Sequence, residues 1–175
     1  MQAGDKYKTK PEIAAELIRE LQGMGFKFEL VLADSLYGES DGNFINVLNQ
    51  VELNFVVAIR SNHGVWLPRG QSIRYNKWRK FNRVFSNGNQ EVRYIREIIF
   101  GKRRSIRYWQ VTTDTEKLPE NSTCFLMTNV PDIKYSEVGN FYGLRTWVEY
   151  GLKQSKNELG WADCRLPHYS DIQKW

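Results

Sequence analysis

A chain of 175 residues with 41% hydrophobic content can bury one substantial core, with room for a small second lobe. Proline is scarce and the charges are mixed, which excludes a wholly disordered chain; apolar runs such as FVVAI at 55–59 are far too short to span a bilayer. The net charge of +5 is unevenly placed, because thirteen basic residues against Glu91 and Glu97 give +11 between Arg60 and Gln110 and leave −6 for the rest.

The opening stretch MQAGDKYKTK carries no apolar segment, so no secretory signal is expected. From Lys10 to Gly25 the apolar residues Ile13, Ala14, Leu17, Ile18, Leu21 and Met24 are spaced for one helix face. Thr9 is the expected cap, with Pro11 in the first turn and Gly25 at the exit. FELVLAD at 28–34 is fit for a buried strand that ends in a carboxylate, Asp34. The following SLYGES supplies a tight turn at Gly38. A second helix is expected over Gly42–Gln50 and a second buried strand in LNFVVAIR at 53–60. Strand, helix and strand with short links predict a parallel pair.

After Arg60 the pattern changes. VRYIREIIF, SIRYWQVTT and STCFLMTNV read as strands separated by turns, without helices between them. This is an antiparallel β insertion rich in positive charge, with Trp66, Tyr75, Trp78, Phe81, Tyr94 and Trp109 interleaved among the arginines. A basic segment on an otherwise acidic chain is the footprint expected for a polyanion partner. Aromatic rings among arginines suit stacking on bases, and alternating strand cores give the same composition. Ser136 is the expected cap of a long helix that runs to Leu159 and closes at Gly160. Cys124 and Cys164 sit in no CxxC or Cys/His pattern and read as reduced structural thiols in a cytosolic protein.

The last helix carries the unusual series YGLRTWVEYGLKQSK at 142–156. At about 100° per residue, Tyr142, Arg145, Glu149 and Lys156 fall within an arc of roughly 60°. Phe141, Val148, Leu152 and Leu159 form the expected core-facing stripe beside it. Glu149 is therefore expected at the rim of the core, where a carboxylate needs a partner or a metal. Asp34, at the end of a central parallel strand, would point into the crevice where α/β folds place their chemistry. An aspartate that merely caps the next turn is the alternative. Two carboxylates, one on a strand end and one on a helix, are a usual ligand set for Mg²⁺ in phosphoryl chemistry.

ADSLYGE around Asp34, together with Y-x2-R-x3-E-x6-K at 142–156, resembles bacterial insertion-sequence transposases of the DDE, RNase H-like class, in the subgroup named for its YREK signature. TKPEIAAELIRELQ and LMTNV are similar to further family segments. The resemblance implies an α/β fold: an incomplete RNase H-like core, a mixed sheet with flanking helices, interrupted by an antiparallel β-rich insertion. Residues 1–60 would be a partial core with its first three strands missing, 61–130 the basic insertion, and 131–175 the core completion with the catalytic helix. By resemblance Asp34 and Glu149 are catalytic and hold a two-ion site for Mg²⁺ or Mn²⁺, while Tyr142, Arg145 and Lys156 bind DNA phosphates. The family's first catalytic aspartate has no counterpart; Asp5 is the sole acid upstream of the first helix. His168 resembles a family histidine, and His63 is left unassigned. The expected activity is metal-dependent DNA strand cleavage and joining, impaired in this chain alone, in the cytoplasm on the nucleoid, with a homodimer or a companion fragment as partner and no membrane. The alternatives are a non-catalytic DNA-binding remnant, an unstable pseudogene product, or an unrelated metal-dependent nuclease that draws another acid from Glu39, Asp41 or Asp163.

Overall fold

The computed structural model describes residues 7–67, 69–85, 88–100 and 105–158. It divides into two compact units, Met1–Gly143 and Leu144–Trp175. Cys164, His168, Asp163, Asp5 and Leu159 lie outside the described residues.

Helix α1 spans Lys10–Gly23. Its start is a capping box: Glu12 Oε2 accepts the Thr9 N–H at 2.7 Å, and Pro11 occupies the first turn, where a missing N–H costs nothing. The chain leaves through Gly25 at φ +88°, a left-handed conformation that favours glycine. The buried face differs from the expected one. Pro11 and Ala15 are buried, and Ala14 and Ile18 pack on the core, whereas Ile13, Leu17, Leu21 and Met24 are exposed. Small residues let α1 approach closely along that side, so the bulkier apolar stripe is turned away.

Strand β1 (Leu30–Ala33) is followed by the single turn of helix α2 (Ser35–Gly38). A π-helical turn over Asp41–Ile45 then runs into α3 (Asn46–Gln50), where the sequence predicts one helix from Gly42. Strand β2 (Asn54–Ile59) pairs parallel with β1, Leu30 opposite Asn54 and Ala33 opposite Val57. Five further strands follow: β3 (Ile73–Tyr75), β4 (Arg79–Val84), β5 (Gln90–Phe100), β6 (Arg107–Thr112) and β7 (Cys124–Thr128). They join β1 and β2 in one seven-stranded mixed sheet of order β1-β2-β7-β6-β5-β3, with β4 also on β5. The long β5 divides one of its edges, pairing Ile95 with Arg79 of β4 and Ile98 with Tyr75 of β3.

Alternation along the strands makes a core on both faces of this sheet. Phe55, Val57 and Ile59 pack with Phe44, Ile45 and Leu48 on one face. Val56, Ala58, Phe81, Ile95, Trp109 and Leu126 pack with Ile133 and Val138 on the other. Burial on both faces is why FVVAI reads as an unbroken apolar run. Asn129 clamps the parallel pair to β7: its Oδ1 accepts the Phe55 N–H at 2.8 Å, and its Nδ2 donates to the Leu53 carbonyl at 3.0 Å.

Helix α4 spans Tyr135–Glu158. Ser136 is not its cap. The chain turns helical two residues earlier, where Glu137 Oε2 accepts the Lys134 N–H at 2.8 Å, the reach-back half of a capping box. Gly139 faces the Phe81 ring so closely that a side chain at 139 would collide with it.

Candidate active site

Asp34 follows the last residue of β1 and is half-buried. Its Oδ1 accepts the Leu36 N–H at 2.9 Å, so it caps α2. The capping reading of Asp34 is therefore met, on a carboxylate that stands at the strand end. Gly38 is needed for a different reason than a tight turn. A Cβ there would run into the Ala58 carbonyl oxygen, so α2 lies against the backbone of β2 only because position 38 is bare.

Glu39 closes this turn onto β2. Its Oε1 accepts the Arg60 N–H at 2.7 Å, and its Oε2 lies 3.1 Å from His63 Nδ1. Burial pushes the Glu39 carboxyl up, but the Arg60 amide, the His63 hydrogen bond and the charges of His63 and Arg60 together hold it below the usual carboxylate value. His63, unassigned from the sequence, is thus a structural partner of Glu39, and its ring lies 6.1 Å from that of Tyr108. A Glu and a His 24 residues apart carry no local signal for this pairing. Asp41 is exposed in the first turn of the π-helical segment.

The residues of the YREK series fall in different units. Tyr142 belongs to the first unit and packs against the core on the α4 side of the sheet. Arg145, Glu149 and Lys156 belong to the second. There Arg145 Nη1 meets Glu149 Oε1 at 2.6 Å, an i,i+4 pair whose acid is 54% exposed. Lys156 is exposed in the last turn. The expected core stripe is corrected at two positions: Phe141 packs on the core, but Val148 and Leu152 are exposed. Helical periodicity places those side chains in line with Phe141, yet burial also requires a partner surface at their level.

Asp34 and Glu149 offer hard oxygen donors, the kind that divalent ions such as Mg²⁺ take alongside water and substrate phosphate. Among the described residues, no three or more His, Cys, Asp or Glu side chains gather as a metal site. The donors fit such an ion in kind.

A mixed α/β sheet with flanking helices, carrying an aspartate at the end of its parallel pair, defines the class of protein. Residues 1–86 match the DDE superfamily endonuclease family, whose members generally use divalent metal ions, and the chain is similar to a transposase of insertion sequences. Over 173 residues, 99% of its length, it is 68% identical to the probable transposase for insertion sequence element IS701 of Microchaete diplosiphon. It spans 46% of that relative, about half its length. Among the described residues no helix is long and apolar enough to cross a membrane.

Proposed function

We propose that this chain supplies the second aspartate and the glutamate of a transposase that cleaves and joins DNA at the ends of an insertion sequence. The observation that carries the reading is the 68% identity to a probable transposase across 99% of the chain. Asp34 and Glu149 are the carboxylates that would hold Mg²⁺ or Mn²⁺. Bound divalent ions supply activation of the attacking oxygen and charge neutralisation at the scissile phosphate.

The chain's own groups do the rest. The Leu36 N–H holds Asp34 at the end of β1. Arg145 orients the Glu149 carboxylate across one turn of α4. Tyr142, Arg145 and Lys156 take backbone phosphates beside the cut end, the arginine as a fork and the lysine as a point charge. Two carboxylates hold two ions poorly, so Asp34 and Glu149 by themselves neither nick nor join DNA, and a further carboxylate completes the site. It acts in the cytoplasm on the nucleoid.

The test is strand cleavage of a duplex bearing the transposon end, with Mg²⁺ or Mn²⁺ present. The purified chain is expected to leave it intact, and a companion fragment carrying the first aspartate to restore nicking that Asp34→Asn and Glu149→Gln each abolish. Cleavage by the chain alone would overturn its inactivity, and restored nicking indifferent to both substitutions would overturn the site.

A second reading, a non-catalytic DNA-binding remnant, is favoured by one observation: Arg74, Lys77, Arg79 and Lys80 are all exposed along β3, β4 and their link. It expects DNA affinity that falls steeply with salt and survives Glu149→Gln. A flat salt dependence would sink it.

A further inference from the structure

Within the first unit, a cavity of about 440 Å³ opens on the α4 side of the sheet, between β4, β5, β6 and the loop entering α4. Four cationic side chains line it, Lys77, Arg79, Arg107 and Lys134, against the acids Glu97 and Asp132. Arg107 uses up Glu97 in a two-pronged ion pair, at 2.8 and 3.1 Å, and also donates to the Ile133 carbonyl at 3.2 Å. Lys77, Arg79 and Lys134 then remain against Asp132 alone.

Arg96, whose backbone borders the cavity, turns its guanidinium to the other face of the sheet, where Nε donates to Gln110 at 2.8 Å and the group lies over the rings of Tyr75 and Trp78 at 4.2 and 4.3 Å. Arg79 lies over the Tyr135 ring at 5.2 Å. Lys77 and Lys134 are exposed and make no ion pair among the described residues. Like charges gathered in a low-dielectric concavity repel one another and focus a positive potential, and an anion in their midst relieves both. Two further features point the same way. Tyr135 and Ser136, the first residues of α4, line the cavity, so the positive end of a 24-residue helix adds to its field. Trp109 also lines it, and its buried indole N–H has no hydrogen-bond partner among the described residues.

The cavity stands apart from Asp34. Three inter-strand steps separate β1 from β6 in the sheet order, a distance of roughly 14 Å at the usual strand spacing. We propose that this cavity is a phosphate-binding site, separate from the carboxylates, that takes the phosphate group of a nucleic-acid backbone or of a free phosphate compound. Arginine forks and lysine point charges match its oxygens, and the volume leaves room for an attached sugar. The proposal does not depend on the chain's cleaving DNA.

The test is a titration of the ¹⁵N-labelled chain at constant ionic strength, reading the indole N–H resonance that disappears in Trp109→Phe. Pyrophosphate is expected to shift this resonance saturably where chloride does not. The triple variant Lys77→Gln/Arg79→Gln/Lys134→Gln is expected to lose about tenfold or more in pyrophosphate affinity. All three side chains are exposed, so its melting temperature should match the parent. The single variants Lys77→Glu and Lys134→Glu carry the same expectation if the triple fails to fold. A shift produced by a 20-base-pair duplex and competed by pyrophosphate assigns the site to backbone phosphate; a shift with pyrophosphate alone assigns it to a free phosphate compound. Either supports the site. No saturable shift with either probe, or parental affinity in the folded variants, overturns it. DNA binding that keeps its strength and salt dependence in Lys134→Glu, which leaves Arg74, Lys77, Arg79 and Lys80 in place, would leave the remnant reading standing while the cavity assignment to backbone phosphate falls.

Discussion

Gly38 packs directly beneath the carbonyl oxygen of Ala58, leaving no space for a side chain between the turn after Asp34 and strand β2. The carboxylate at the end of β1 is therefore placed by a backbone-to-backbone approach. Gly38→Ala is expected to destabilise the chain by about 1–3 kcal/mol or more, since backbone must move to admit the methyl. Gly151, inside α4, has nothing near its missing Cβ among the described residues, so Gly151→Ala should instead stabilise by about 0.5–1 kcal/mol. Urea denaturation of both variants checks the pair; a neutral Gly38→Ala would refute the close approach.

Gly139 and Phe81 repeat the relationship between α4 and β4. The ring occupies the space a methyl at 139 would need. Gly139→Ala should cost about 1–3 kcal/mol. Phe81→Leu in the same chain should recover part of that cost, because the smaller side chain vacates the contested space. A double-mutant cycle reads the coupling, and strictly additive effects would contradict the contact.

Glu39 sets an acid limit on the turn. Its carboxyl titrates below the ordinary value of about 4.3 because the Arg60 N–H and His63 favour the ionised form. A group whose folded pKa is depressed contributes stability that is present above its unfolded pKa and is lost as pH falls through the folded one. Glu39→Gln should therefore be less stable than the parent above about pH 5, with the gap closing toward pH 3. Thermal melts across that range test it, and a gap that widens on acidification would reverse the sign.

The Arg145–Glu149 pair is exposed enough for solvent to screen it. Glu149→Gln should change stability by no more than about 0.5 kcal/mol. Under the proposed function its effect falls on metal binding and cleavage, so a large loss of melting temperature would show that Glu149 serves the fold instead.

Much of the architecture was legible because it is written locally. The Thr9 cap, the glycine at 25 and the unbroken apolar run FVVAI each act within a few residues, and α1 and β2 follow from them. Asp34 was legible for the same reason, a carboxylate directly after an apolar run. The errors share one cause. Periodicity gives the apolar residues a common side but cannot say whether that side meets a partner, so Leu17 and Leu21 of α1 and Val148 and Leu152 of α4 were expected inside and are exposed. Strands β3 and β4, short and mostly exposed, carry too little apolar alternation to announce themselves.

By itself, then, the sequence determined the main helices and strands, the strand-end position of Asp34, the one-turn spacing of Arg145 and Glu149, and the concentration of positive charge after Arg60. The tertiary structure alone decided which strands adjoin, why positions 38 and 139 must be bare, that Glu39 holds Arg60 and His63, and that Lys77, Arg79 and Lys134 surround one cavity. Those relations join residues as far apart as Leu53 and Asn129, 76 positions along the chain. They exist only once the sheet order brings β2, β7, β6 and β5 side by side, a choice made by the packing of both faces together and by no single segment.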